Sequence, residues 1–145
     1  MGDPFDLHRF VAAQEASDTY AAALAELRRG RKRGHWMWFV FPQVAGLGRS
    51  ATAQRYAVAD LAEARAYLLH PTLGPRLLQC VEALLELDTA DAEKVLGPVD
   101  AQKLRSSLTL FRCAADDDAA PARLLDTALQ RFFGGRCDDA TLARL

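Results

Sequence analysis

The chain has 145 residues, a formal net charge of −1, and half of its residues are hydrophobic. This length fits a single domain, and the near-zero charge excludes a general electrostatic attraction to nucleic acid. Isoleucine is absent, Val and Thr occur seven times each, and Ala and Leu occur 27 and 22 times. Because Ala and Leu favour helices while β-branched residues favour strands, we expect an all-α single domain over residues 1–145, with seven to nine helices and no significant sheet.

The three cysteines are odd in number and widely spaced, at Cys80, Cys113 and Cys137. Disulfide-rich scaffolds use even sets and zinc sites use close pairs, so neither is expected, and the spacing of Cys80 to neighbouring Leu and Val residues predicts a core position. The N-terminus lacks the design of a signal peptide, and the longest apolar run has six residues, too short for a bilayer. These features predict a cytoplasmic protein without cofactor or metal, and they leave its protein partner and oligomeric state open.

Helix start and stop signals follow one another along most of the chain. The first helix is expected to open at Asp3, and the second is expected to start near Asp18 and to stop at Gly30. Ser50 predicts the cap of another helix, and Asp60 with Glu63 forms a variant of the capping box. The later signals include a helix stop at His70-Pro71 and a short helix that ends at Gly97-Pro98. After these we expect a helix capped by Asp100, a helix from about 119 to 133, and a last short helix capped by Asp138 or Asp139.

Residues 34–48 form the most irregular part of the sequence. The run Trp36-Met37-Trp38-Phe39-Val40-Phe41 places six apolar residues in succession before Pro42. Such a run fits neither the helical nor the strand pattern of an amphipathic element, so most of it should be buried. A strand would need a partner, and no other segment resembles one. We therefore expect a short, buried helical or 3₁₀ turn.

A basic cluster precedes this aromatic run, with the members Arg28, Arg29, Arg31, Lys32 and Arg33. In one interpretation Arg31, Lys32 and Arg33 attract an anion, His35 transfers protons near neutral pH, and Trp36 or Trp38 stacks on a ring. In the other interpretation the aromatic side chains belong to the core and the basic residues form a solvated face. The sequence leaves both open.

Two further segments carry polar residues that a helix core does not need. The turn G-L-G-R-S (residues 46–50) leads into a helix, where free backbone amides can hold a phosphate or carboxylate; the alternative is a plain loop with a Ser cap. The segment L-R-S-S-L (residues 104–108) places two serines inside a helix, either for close packing or to line a pocket.

Together these segments predict one anion-accepting pocket for a nucleotide-like or phosphorylated small molecule. The expected ligand-binding residues are Arg31, Lys32, Trp36, Gln43, Arg49, Ser50, Lys103 and Arg105. If the protein is an enzyme, a hydrolase or transferase with His35 as the catalytic acid or base is expected. The alternative is a non-catalytic protein-interaction module that uses the basic cluster and exposed aromatic residues. A nucleic-acid accessory role fits the net charge less well.

The motifs also resemble a known family. The core H-W-M-W-F-V-F-P-Q (residues 35–43), the following G-L-G-R-S, the stretch L-R-S-S-L-T-L-F (residues 104–111) and the closing F-F-G-G (residues 132–135) are similar to domain of unknown function 1810. The resemblance runs from D-P-F-D-L at residue 3 to the C-terminus. It implies a compact multihelical fold and a largely bacterial distribution, and it implies no established activity, substrate or cofactor.

Overall fold

The computed structural model describes residues 2–145, and the described chain is built almost entirely from helices. In chain order these are α1 His8–Glu15, a 3₁₀ turn Ala16–Asp18, α2 Thr19–Arg29, α3 Met37–Val40, α4 Ala51–Arg55, α5 Leu61–Leu69, α6 Leu73–Leu85, α7 Ala92–Leu96, α8 Pro98–Ala114, α9 Ala120–Phe133 and α10 Asp139–Leu142. Four of them, α3, α4, α7 and α10, have only four or five residues. Within residues 2–145 the β-type pairing is limited to one isolated parallel bridge between Val44 and Val58. The all-α prediction is confirmed.

Local capping explains where several of these helices begin. Ser50 accepts a hydrogen bond from the Ala53 N–H at 3.1 Å, and Asp60 accepts one from the Glu63 N–H at 2.9 Å. Each bond satisfies one of the backbone donors that a helix start leaves unpaired. At the other end of α2, Gly30 adopts φ +75°, a conformation that favours glycine and ends the helix. These caps stand where the sequence predicted them.

Two predicted helix starts differ from the structure. The prediction that Asp100 caps a helix was wrong, because Gly97 is the capping residue of α8 and Pro98 already occupies its first position. Asp100 therefore lies in the first turn, with its carboxylate available for other partners. The first helix begins at His8 and not directly after Asp3. The Asp3 carboxylate still caps it from the preceding turn, because it accepts hydrogen bonds from the N–H groups of Leu7 at 2.8 Å and His8 at 2.7 Å.

The central element of the fold is α8, the longest helix. It packs against α5, α7, α9 and α10, while α6 packs against α2, α5 and α9. Leu104, Leu108 and Phe111 of α8 are at most 1% exposed, and Cys80 of α6 is fully buried, as predicted. The N-terminal half of α8 reaches the segment between α2 and α3, and this meeting point positions the site described below.

The aromatic run forms the short helix α3, as the sequence predicted. Trp36, Met37, Val40 and Phe41 are at most 1% exposed, because a single tight turn directs most of an unbroken apolar run into the core. Trp38 is half-buried and keeps part of its ring at the surface. In the part of the chain that the structure describes, no helix has both the length and the apolar character needed to cross a bilayer.

Candidate functional site

The loop between α2 and α3 is fixed by one buried carboxylate. Oε1 of Glu26 accepts hydrogen bonds from the backbone N–H of Arg33 at 2.7 Å, from that of Gly34 at 2.9 Å, and from the indole N–H of Trp36 at 2.9 Å. Burial alone would raise the pKa of Glu26, but the donated hydrogen bonds from Gly34, Arg33 and Trp36 outweigh it and hold the pKa below its ordinary value. The loop that carries the predicted basic and aromatic residues is therefore anchored to α2.

Two lysines from distant parts of the chain meet around Asp100. Lys32 Nζ lies 2.9 Å from one carboxylate oxygen of Asp100 and donates to the Gly34 carbonyl at 2.5 Å. Lys103 Nζ lies 3.7 Å from the other Asp100 oxygen, which is an ionic contact beyond hydrogen-bonding distance. The three side chains are 10%, 24% and 19% exposed for Lys32, Lys103 and Asp100. We call Lys32, Asp100 and Lys103, with the two tryptophans beside them, the lysine site.

Each lysine of this site also lies over a tryptophan ring. Lys32 Nζ is 5.0 Å from the centroid of Trp36, and Lys103 Nζ is 4.7 Å from that of Trp38. Both distances are within the range of a cation–π interaction. Trp36 is 1% exposed and faces the core, so it is Trp38 that offers ring surface to a ligand.

The ion-pair contacts of the lysine site are uneven. Two ammonium groups contact one carboxylate, that of Asp100, in a partly buried position. Within residues 2–145, Lys103 Nζ makes no hydrogen bond to protein. The exposed arginines Arg31 and Arg33 flank Lys32 in the chain and add positive potential there, and in the described chain neither makes an ion pair. The arrangement is suited to an anion.

The predicted acid or base has no visible partner. His35 is exposed, and neither ring nitrogen has a hydrogen bond to any residue in 2–145. A catalytic imidazole is normally oriented by a second group that fixes its tautomer. The position of His35 beside Gly34 and Trp36 places it next to the lysine site without that support, so its catalytic role stays a prediction.

Three of the predicted ligand-binding residues lie in a different segment, residues 43–50. Ser50 serves as the cap of α4, the Arg49 carbonyl accepts from Gln54 at 3.2 Å, and the Gln43 carbonyl accepts from the Val58 N–H at 2.9 Å. Across residues 2–145, no hydrogen bond or ion pair links these three residues to the two lysines of the lysine site.

Arg105 lies away from the lysine site although it follows Lys103 closely in sequence. Two residues along an α-helix correspond to a rotation of roughly 200°, so the two side chains point to nearly opposite sides. Arg105 donates to the carbonyls of Arg136 at 2.9 Å and Cys137 at 2.7 Å. It lines a cavity of about 310 Å³ together with Phe132 and Phe133.

The paired serines serve mainly the fold. Ser106 Oγ lies 2.9 Å from a carboxylate oxygen of Asp138, which also caps α10 through the Thr141 N–H at 3.2 Å. This contact ties the C-terminal helix to α8, in line with the packing interpretation of the segment. Ser107 is fully buried, and among the described residues its hydroxyl has no hydrogen-bond partner.

Asp100 is the residue of this site that sequence reasoning missed. Its spacing of three residues from Lys103 was the available signal, since side chains three apart on a helix lie on the same face. Because Asp100 was interpreted as a helix cap, its contact with Lys103 was not predicted. The sequence predicted Lys32 and Lys103 in one pocket, and the structure adds Asp100 between them.

Comparisons with known proteins agree on the kinship of the chain. No curated protein matches it. The structure is similar to the crystal structure of the conserved hypothetical protein Rv1873 from Mycobacterium tuberculosis, with 48% sequence identity, a TM-score of 0.92, and coverage of 99% of this chain and 98% of that one. Residues 4–145 match the family model described as "Protein of unknown function (DUF1810)". Since the match spans nearly every residue, the chain belongs to the DUF1810 family.

Proposed function

We propose that this protein binds a small anion of the nucleotide-like or phosphorylated type at the lysine site. The observation that carries the proposal is Lys103, whose side chain is 24% exposed and whose ammonium group has no hydrogen bond within the described residues. A charge that is partly withdrawn from water is stabilised by a partner of opposite sign. Asp100 is shared with Lys32, so it compensates only one of the two charges. A phosphate oxygen near Lys103 would compensate the other.

The surroundings favour a phosphate attached to a ring over a simple inorganic ion. The exposed part of the Trp38 ring adjoins Lys103 and can stack against a planar group. The exposed arginines of the basic cluster, including Arg31, would raise the local concentration of an anionic ligand and increase its rate of association. These features support binding more strongly than catalysis, because His35 has no orienting hydrogen bond among the described residues.

The test is the effect of ligands on thermal unfolding. A panel of inorganic phosphate, adenosine and guanosine mono-, di- and triphosphates, and sugar phosphates would be added at constant ionic strength. A ligand present at about 100 times its Kd stabilises the native state by about 2.7 kcal/mol and raises the Tm by several degrees. We expect the nucleotides to give a larger shift than inorganic phosphate.

Variants decide whether the lysine site is responsible. Lys103→Gln should abolish the shift, and Arg31→Ala should reduce it. Arg123→Gln is the matched control, since Arg123 is an exposed cation at the start of α9 whose contact is the carbonyl of Asp118. A shift that persists in Lys103→Gln, or no shift with the whole panel, would contradict the proposal and favour a protein-interaction module instead.

A further inference from the structure

A cavity that shares no lining residue with the lysine site lies at the corner between α1 and α2, where both helices approach α6. Its volume is about 330 Å³, and its lining consists of Gln14, Glu15, Asp18, Tyr20, Ala21 and Arg76. This volume is at the lower end of the range found for small-molecule sites. We call it the Arg76 cavity.

The guanidinium of Arg76 is held in a fixed position within this cavity. It donates to the side-chain oxygen of Gln14 at 3.2 Å and to Oε2 of Glu15 at 3.3 Å, and it lies 4.9 Å from the centre of the Tyr20 ring. Gln14 is only 1% exposed, and its amide nitrogen donates to the Phe39 carbonyl at 2.7 Å. Arg76 is therefore oriented before any ligand arrives, which lowers the entropic cost of binding.

Arg76 keeps donors for a ligand. An arginine has five N–H groups, and the contacts to Gln14 and Glu15 use two of them. The planar fork of a guanidinium matches the two oxygens of a carboxylate. At 24% side-chain exposure, Arg76 remains reachable from the cavity.

The cavity also carries two carboxylates. Glu15 is 59% exposed beside Arg76, and Asp18 is exposed at the rim, where a corner with φ +53° at Ser17 and φ +56° at Asp18 turns the chain. The Asp18 side chain makes no capping bond to α2. The two carboxylates would repel a simple anion, and a simple cation bound to them would leave the free donors of Arg76 unused.

A ligand with both charges a short distance apart matches this pattern. In a free α-amino acid, the carboxylate and the ammonium group are separated by a single carbon atom. When such a zwitterion lies beside the Arg76–Glu15 ion pair with its carboxylate towards Arg76 and its ammonium group towards Glu15, each of its charges has an opposite charge as its neighbour. We infer that the Arg76 cavity binds a free α-amino acid, with its carboxylate on Arg76 and its ammonium group on Glu15 and Asp18.

The experiment is a titration of the full ¹⁵N-labelled chain with each of the twenty common amino acids, followed by nuclear magnetic resonance. We expect at least one amino acid to shift the Arg76 side-chain Nε–H signal and the backbone signals of Gln14 and Asp18. The same compound without its carboxyl group, and the same compound without its amino group, should each bind at least about tenfold more weakly. Equal binding of either analogue, or no response to any amino acid, would overturn the inference.

Two variants locate the ligand. Arg76→Lys should weaken binding at least about tenfold, because a lysine cannot engage a carboxylate through two parallel bonds. Since Arg76 also packs against Gln14 and Tyr20, Glu15→Gln provides a second variant at an exposed position where folding is not at risk, and it too should weaken binding. Lys103→Gln should leave amino-acid binding unchanged, so failure here is distinguishable from failure of the lysine site. Unchanged binding in both Arg76→Lys and Glu15→Gln would refute the assignment.

Discussion

The indole N–H of Trp36 donates to the carboxylate of Glu26 at 2.9 Å, and both side chains are buried. This bond joins the last turns of α2 to the entrance of the aromatic run. The same carboxylate oxygen accepts two backbone N–H groups of the loop between them. The conformation that presents Lys32 to Asp100 therefore depends in part on this buried acceptor.

Glu26→Gln should destabilise the protein at neutral pH. The uncharged amide is a weaker acceptor than a carboxylate, and its NH₂ group brings donors to a place already surrounded by donors. We expect a loss of about 1–3 kcal/mol in the free energy of unfolding, measured by urea denaturation at pH 7. Glu15→Gln, a change of the same kind at an exposed position, is the control and should shift the midpoint far less.

The loss of stability in Glu26→Gln should depend on pH in a definite direction. Because the folded-state pKa of Glu26 lies below the ordinary glutamate value of 4.5, the stabilising contribution is complete above that value and disappears as the pH falls through the lower folded pKa. The stability difference between the parent and Glu26→Gln should therefore be largest at neutral pH and shrink in acid below about pH 4.5. A difference that stays constant down to pH 3 would show that the charge of Glu26 contributes nothing.

The two tryptophans should differ in their contribution to stability. Truncation of a fully buried Trp to Ala costs about 3–5 kcal/mol, so Trp36→Ala should lower the unfolding midpoint severely. Trp38→Ala should cost clearly less, because its ring is only half-buried and its main polar contact is Lys103 at 4.7 Å. Chemical denaturation of both variants measures this. Equal costs would mean that the two rings share the same environment, contrary to the structure.

Asp138 should control the attachment of the C-terminal helix. Its carboxylate accepts from Gln102 at 3.0 Å and from the Thr141 N–H at 3.2 Å, and it contacts Ser106. Loss of a helix cap costs about 0.5–2 kcal/mol, and the buried partners would be left unpaired in addition. In Asp138→Ala, amide hydrogen exchange across α10 should become faster than in the parent.

A neighbouring aspartate provides the control for this prediction. Asp139 is exposed at the first position of α10 and does not cap it. Asp139→Ala should therefore leave exchange in α10 nearly unchanged. If both variants accelerated exchange equally, the effect would come from lost negative charge at the helix start and not from the Asp138 contacts.

The sequence alone determined the helical fold and several of the residues at which helices begin or end. Ser50, Asp60 and Gly30 begin or end helices through bonds and dihedral angles that involve residues only a few positions away. The burial of the aromatic run was predictable for a similar reason, because six consecutive apolar residues leave few ways to avoid the core. Helix caps and tight turns depend on residues that are close together in the chain, and these predictions were confirmed.

Only the tertiary structure decided which polar residues share a site. Lys32 meets Asp100 because the loop after α2 packs against the start of α8, and the Lys32 N–H donates to the Val95 carbonyl at 2.9 Å beside that contact. Arg105, predicted in the same pocket as Lys103, points away because the helix rotates by roughly 100° per residue. Gln14 reaches Arg76 only because α1 and α6 are folded together. Contacts of this kind depend on how whole helices pack, and helix packing is set by the combined core and not by the few residues that finally touch.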